Sequence, residues 1–246
     1  MSRHALVTGG GTGIGKAIAF ALADAGHEVT ICGRRRDTLE AVEHPRVHGI
    51  VADVTDEAAV AALYAQADDA RGPFDIVVAN AGGTTSGPAA KVTLDDWQRT
   101  LAANLTGAFL SVRPALPGMI ERGAGRIAFI ASTAGLKGYS YVAPYVAAKH
   151  GVVGLMRALA AETATSGVTV NAICPGFAET DLLATSIAAI TAKTGRSEAE
   201  ARAMLANPQG RFVTPEEVAA AVLWLASDAA RSVTGQALSI SGGETW

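Results

Sequence analysis

Apolar residues along this chain gather in short continuous runs, separated by longer segments in which small and apolar residues recur every three or four positions. The runs "ALVTG" (5–9), "EVTICG" (28–33), "VHGIVAD" (47–53), "DIVVAN" (75–80), "RIAFIAS" (126–132), "VTVNAIC" (168–174) and "QALSISG" (236–242) predict seven strands. Their middles do not alternate with polar residues, as expected of strands covered on both faces. The intervening periodicity predicts helices over 14–26, 36–43, 56–70, 95–121, 144–166 and 215–227. Gly26, Gly72, Gly123 and Gly167 fall where helix C-caps are expected. Thr214, Pro215, Glu216 and Glu217 read as an N-cap, an N1 proline and an acidic first turn.

Strict alternation of strand and helix predicts an α/β fold: one doubly wound parallel sheet of about seven strands, with helices on both faces. The chain reads as a single domain over 1–246, without repeats or linkers. One stretch breaks the alternation. Residues 181–212 precede the last helix and suggest one or two extra helices. An insertion after a strand's carboxyl end lies over the ligand crevice of such a sheet, so this one reads as a substrate lid or, equally, as amphipathic helices packing on a core of their own.

Composition narrows the function classes. Of 246 residues, 49% are hydrophobic and 17% charged, enough to bury a large core. The net charge of -3 favours neither nucleic acid nor an anionic membrane as partner. Arg34, Arg35 and Arg36 form the one basic run, too short for a polyanion groove. Cys32 and Cys174 each end an apolar run and read as buried free thiols of a reducing compartment. No metal site is expected; His44 and His48 are four apart, but Pro45 between them argues for a loop. No signal-peptide pattern and no membrane span is recognised, so a cytoplasmic location is expected.

Two patterns carry chemistry. "TGGGTGIG" (8–15) follows the first strand and opens the first helix, with Gly9, Gly13 and Gly15 spaced TGxxxGxG. Glycines there allow a tight turn and bring backbone N–H groups close to a pyrophosphate at the helix's positive end, which predicts a dinucleotide site of Rossmann type. After the second strand an NAD site usually places an acid for the ribose hydroxyls. Here Gly33 takes that place and Arg34 follows. A guanidinium fork matches a 2′-phosphate, which favours NADP(H) over NAD(H). Asp37 reads as a helix N-cap, too far along to be the ribose acid.

The second pattern is "APYVAAKHGVVGL" (143–155), which sets Tyr145 and Lys149 four apart on a helix that otherwise looks buried. Their Cβ atoms then lie about 5–6 Å apart on one face. Hydride transfer to a ketone leaves negative charge on its oxygen and requires a proton donor. A phenol can donate, and a neighbouring ammonium is expected to lower its ordinary pKa of about 10. Ser132 ends the fifth strand, where its hydroxyl can orient the carbonyl, and Asn104 interrupts an apolar helix face. Tyr139 and Tyr141 have no lysine four residues on and are expected only to border the substrate.

"TGGGTGIG", "DV" (53–54), "NAG" (80–82), Asn104, Ser132, "YVAAK" (145–149) and "PG" (175–176), in this order, resemble the short-chain dehydrogenase/reductase family over essentially the whole chain. Ala79 departs from the pattern, where a second asparagine often precedes "NAG". The resemblance implies a catalytic tetrad of Asn104, Ser132, Tyr145 and Lys149, with Asn104 holding a water that links Lys149 to solvent. It implies cofactor contacts from the glycine loop, including Ile14, and from Thr12 near the adenosine ribose phosphate. Asp53 and Val54 would meet the adenine. Asn80, Ala81 and Gly82 would line the cleft, while Pro175, Gly176 and Thr180 would hold the nicotinamide end together with Lys149 and Tyr145.

The helix and PG segments look like the 3-oxoacyl-thioester reductase branch, acting on acyl-carrier-protein, acyl-CoA or polyketide ketones. A sugar, steroid or small secondary alcohol is the alternative substrate, and a non-catalytic dinucleotide-binding regulator the remote one. Lys193, Arg196 and Arg202 in the insertion are candidates to meet the phosphates of an acyl carrier. The resemblance also implies a homotetramer or homodimer.

Overall fold

The computed structural model describes residues 2–245. In chain order it holds β1 (His4–Thr8), α1 (Gly13–Asp24), β2 (Glu28–Gly33), α2 (Arg36–Glu40), β3 (Val47–Val51), α3 (Glu57–Arg71) and β4 (Ile76–Ala79). There follow α4 (Leu94–Leu101), α5 (Gly107–Val112), α6 (Leu116–Arg122), β5 (Gly125–Ile130), α7 (Ala143–Glu162) and β6 (Val168–Pro175). The chain continues through α8 (Asp181–Thr194), α9 (Glu198–Leu205), α10 (Pro215–Ala226) and β7 (Ala237–Ile240).

The seven strands form one sheet in the order β3-β2-β1-β4-β5-β6-β7, and every neighbouring pair is parallel. All residues of β1 and β6 are buried, as their unbroken apolar runs require. One face of the sheet is covered by Leu63 of α3, Met119 of α6 and Val152 and Met156 of α7. Ile18 and Leu22 of α1 cover the other face with Val218 and Val222 of α10. Each such fully buried aliphatic side chain contributes roughly 1.5–3 kcal/mol. Strand order reverses between β1 and β4, so the crevice of this sheet opens at the carboxyl ends of those strands.

The predicted helix over 95–121 is not continuous. Its ladder changes to a π-helical turn at Ala102–Thr106 and a 3₁₀ turn at Arg113–Ala115. Pro114 and Pro117 have no N–H to extend an α-helix through them, and the π turn surrounds Asn104. Asp37 is also not an N-cap: the cap falls two residues earlier, on Arg35, and Asp37 is an acid of the first turn of α2. Gly72 and Gly123 do sit at C-caps with positive φ. Gly26 lies one residue past the C-cap Ala25, and Gly167 lies beyond the C-cap Thr163 of α7. Thr214 and Glu217 form a reciprocal capping box that starts α10.

Residues 181–212 hold two helices, α8 and α9, joined where Gly195 turns left-handed at φ +70°. Leu183, Ile187, Ala201 and Phe212 make a small core of their own there. Both cysteines are buried free thiols. His44 meets Asp24 and His48 meets Glu28, each at 3.2 Å. No described helix is long and apolar enough to cross a membrane.

Candidate active site

The cleft starts at the turn that ends β1. Gly9 adopts φ +65° and Gly13 φ +51°, and the Gly9 N–H donates to the Cys32 carbonyl at 2.8 Å. Thr12, exposed, occupies the N-cap of α1 without a side-chain cap, which leaves the first-turn N–H groups unclaimed by its side chain. Ile14 begins the helix against the α1–α10 core. At Gly15 a Cβ would come within 2.2 Å of the Gly9 carbonyl oxygen, so the loop folds back onto its own helix only through glycine. The Asn80 amide nitrogen donates to the Thr8 carbonyl at 2.9 Å, and the N–H groups of Asn80 and Ala81 donate to the Thr8 hydroxyl at 3.0 Å. These bonds pin the end of β4 to the glycine turn. Across the opening, a Cβ on Gly13 would lie 3.1 Å from the Thr180 methyl, so the loop after β6 reaches over to the first turn.

The far end of the cleft floor is built from β2 and β3. Arg34 follows β2 and is exposed. Its charge helps hold the Asp53 carboxyl below the ordinary range, together with the Thr55 N–H and hydroxyl, which donate to Asp53 at 2.9 and 2.8 Å; burial opposes them and is the largest single influence. Val54 is buried and packs where Gly107 of α5 leaves room for it.

At the other end β5, α7 and the π turn converge. Ser132 follows β5 in extended conformation, and its Oγ accepts from the Ala134 N–H at 3.1 Å, capping a 3₁₀ turn at Thr133–Gly135. Lys149, only 5% exposed, projects from α7 and donates to the Ile130 carbonyl at 2.8 Å. Its Nζ lies 5.5 Å from the centre of the Tyr145 ring. Asn104, 1% exposed, donates to the Gly83 and Thr100 carbonyls at 2.8 and 2.9 Å and accepts from the Gly83 N–H at 3.2 Å. It thereby clamps the chain after β4 beside Lys149: a Cβ on Gly82 would stand 3.8 Å from the lysine Nζ and 2.5 Å from the Asn104 Oδ1. Pro175 ends β6 in the core and Gly176 opens the loop toward Thr180.

The electrostatics differ from the expectation for Tyr145. Burial holds its phenol above the ordinary value, the Ser132 hydroxyl pulling the other way. Lys149 is itself desolvated, which pushes its ammonium down to about 8. The ammonium donates to a backbone carbonyl rather than to the phenolic oxygen, and burial outweighs any pull it exerts on the phenol. A phenol kept protonated beside a serine hydroxyl can donate to an oxygen that gains charge. Cys174, fully buried, has its thiol raised to about 11 by burial.

Contacts join the glycine turn to Asn80, Ala81 and Thr180, and Asn104 and Gly82 to Lys149 and Tyr145, while Arg34, Asp53 and Val54 lie apart, beyond β2 and β3. The structure adds a group unforeseen in the sequence. Glu244, near the end of the chain, bonds Tyr139 and pairs with Lys137 at 3.2 Å. It is 105 residues from Tyr139 in sequence, and no local pattern signals such a contact. Arg202, a candidate for carrier phosphates, is already engaged, meeting Glu179 at 3.4 Å and stacking on Phe212.

Residues 3–190 match the short chain dehydrogenase family. A putative ketoacyl reductase of Streptomyces coelicolor is 41% identical over 98% of this chain and 97% of its own. An acetoacetyl-CoA reductase of Rhizobium meliloti is 41% identical over 99% of each chain. Among solved structures, a variant of actinorhodin polyketide ketoreductase with NADPH superposes with a TM-score of 0.95 at 39% identity, over 99% of this chain and 97% of that one.

The close approach at Gly15 sets a test of the loop. Gly15→Ala puts a methyl group against backbone, which cannot give way as a side-chain tip could. Thermal unfolding should show a loss of at least ~1–3 kcal/mol, the range for overpacked sites. An unchanged midpoint would mean that the turn does not fold back on α1 as described.

Proposed function

Since the chain belongs to the short-chain dehydrogenase family, we propose that it reduces the ketone of a 3-oxoacyl thioester to the 3-hydroxyacyl thioester with NADPH. The observation that carries this reading is the buried Lys149 ammonium one helical turn from Tyr145, with Ser132 across from them, beside a glycine turn open to a dinucleotide. The substrate class is supported by the ketoacyl and acetoacetyl-CoA reductases among the relatives.

In this reading the glycine turn and the free N–H groups at the start of α1 bind the pyrophosphate. Arg34 takes the 2′-phosphate, a role its exposed position permits, and Asp53 and Val54 flank the adenine. Pro175, Gly176 and Thr180 seat the nicotinamide, which supplies the hydride. Ser132 and Tyr145 donate to the carbonyl oxygen, and Tyr145 passes its proton to the oxygen as the alcohol forms. Lys149 holds the nicotinamide ribose and returns a proton to Tyr145, with Asn104 fixing the chain beside it. The segment 181–212 acts as the lid: its small core is separate from the two sheet faces, and Gly195 offers a joint between its helices. Leu182 and Met204, exposed on the lid, are suited to cover an acyl chain. Assembly as a homotetramer or homodimer follows from the family resemblance, and a cytoplasmic location from the lack of a recognised signal-peptide pattern or membrane span.

The reductase reading is tested by following NADPH oxidation with a panel of 3-oxoacyl thioesters, cyclic ketones and sugars. Thioesters should give the highest kcat/KM. Tyr145→Phe should retain dinucleotide binding and lose at least ~10²-fold in turnover, the low end for positioned acid–base groups. Turnover within a few-fold of the parent would assign the proton to another group.

Arg34→Asp should move preference toward NADH, because it removes a phosphate partner and offers a carboxylate to ribose hydroxyls. A lost charged hydrogen bond is worth ~1.5–3 kcal/mol, or roughly 10- to 150-fold in the ratio of specificity constants. An unmoved ratio would exclude Arg34 from the cofactor site.

Lys149 gives a pH signature. Its ammonium is pushed down to about 8, so it is protonated below that pH and loses its proton above it. In the reductive direction kcat/KM for NADPH, which reports the free enzyme, should therefore fall as pH rises through about 8. Lys149→Arg carries a group that does not titrate there and should flatten this limb while lowering the rate. A limb that persists in the arginine variant belongs to a different residue.

A further inference from the structure

Beyond β7 the chain reverses through Gly242 and Gly243, at φ +59° and +87°. Hydroxyl contacts of Ser239 with Ser241 at 2.7 Å and with Thr245 at 2.6 Å hold the returning segment against the strand it left. The reversal delivers Glu244, whose side chain is only 15% exposed, between the loop after β5 and the loop after β6. A carboxylate so desolvated requires partners, and it has them. The Tyr139 hydroxyl donates to it, the Lys137 ammonium lies 3.2 Å from it, and Lys137 also donates to the Glu244 carbonyl at 3.3 Å.

Tyr139 extends the chain of contacts inward. Its hydroxyl lies 2.7 Å from the Thr133 hydroxyl. Since it donates to Glu244, it accepts from Thr133. Thr133 is the first residue of the 3₁₀ turn that Ser132 caps. Burial and the neighbouring Glu244 both hold the Tyr139 phenol above its ordinary range, so it remains a donor. Phe177, from the loop after β6, packs edge-on against the Tyr139 ring with centres 6.4 Å apart. On its other side the Glu244 carboxylate is so close to Gly176 that a Cβ there would stand 2.8 Å from it. One side chain from the end of the chain thus touches both the turn after β5 and the loop after β6.

We propose that Glu244 is a positioning residue for carbonyl reduction, acting through Tyr139 and Thr133 on the turn that aims the Ser132 hydroxyl. The proposal rests on the reductase reading of the cleft. Glu244 touches neither the carbonyl nor the hydride donor; it fixes the geometry in which Ser132 meets the substrate oxygen.

The test compares Glu244→Ala, Glu244→Gln, Tyr139→Phe and the Glu244→Ala/Tyr139→Phe double variant in the full-length protein. Misplacement of a reacting group by about 1 Å costs up to ~10²-fold, so Glu244→Ala should lower kcat for the ketone between roughly tenfold and that limit. KM for NADPH should change by a smaller factor than kcat, because the Glu244 carboxylate also lies against Gly176. The glutamine variant keeps an oxygen that accepts from Tyr139 and should recover most of the loss. The double variant should be no slower than the slower single variant, because each single variant already breaks the Glu244–Tyr139 bond through which the effect passes. Amide exchange over residues 133–137 should quicken in Glu244→Ala, at a temperature well below its own unfolding midpoint.

An unchanged kcat, additive losses in the double variant, or a glutamine variant as slow as the alanine would each overturn the proposal. The exchange measurement needs no turnover. Unaltered exchange over 133–137 overturns the positioning role even if no ketone is reduced, whereas a parent inert toward every ketone counts against the reductase reading alone.

Discussion

A positive charge is held inside the protein with one backbone carbonyl as its hydrogen-bond acceptor, and the surroundings are organised around that cost. Lys149 is nearly inaccessible, and its ammonium bonds to Ile130 at the end of β5. Desolvation of an ammonium favours its neutral form, so the group stands close to losing its proton near neutral pH. A lysine in that condition can exchange a proton and also receive acceptors from a ligand. The chain beside it follows from the same demand. Gly82 approaches where no side chain would fit, and Asn104 satisfies both the N–H and the carbonyl of Gly83.

The irregular backbone belongs to this arrangement. A regular helix through 94–112 would present its ladder without interruption. The π turn at Ala102–Thr106 puts Asn104 inward, where its amide takes the Thr100 carbonyl as well as Gly83. Such single-turn expansions within helices recur at functional sites. Tyr141 is a second irregularity, the one non-glycine residue among those described with positive φ, at +68°. Its carbonyl accepts from the Gly87 N–H at 2.8 Å, which joins the loop after β4 to the loop before α7. The walls of the cleft are therefore tied to each other, and the proposed Glu244 contact would tie the chain's end to the same walls.

The relation between Tyr145 and Lys149 shows how spacing and environment divide the work. A four-residue spacing on a helix guarantees proximity, and the pair is indeed adjacent. Proximity alone suggested a phenol drawn down by a neighbouring charge. In the folded protein burial acts on both groups at once, raising the phenol and lowering the ammonium, and the Ser132 hydroxyl rather than Lys149 opposes the shift at Tyr145. Under the proposed chemistry a protonated phenol is the form required to complete reduction, and binding of a dinucleotide would supply new partners for the lysine.

The strands, their parallel pairing and the glycine turn were legible in the sequence, because each depends on local rules: continuous apolar runs for strands buried on both faces, and glycine where backbone meets backbone. The positions of Ser132, Tyr145 and the glycines were legible for a related reason, since they sit at strand ends and helix starts that the alternation itself locates. Tertiary structure alone decided the π turn within the helix predicted over 95–121, where Asn104 is drawn toward a loop twenty-one residues away. It decided the direction of the Tyr145 shift, which depends on how much protein surrounds the phenol rather than on which residue lies four positions on. It also decided that Glu244 meets Tyr139, because a contact across 105 residues is made by the return of the chain past β7 and leaves no periodic trace along it.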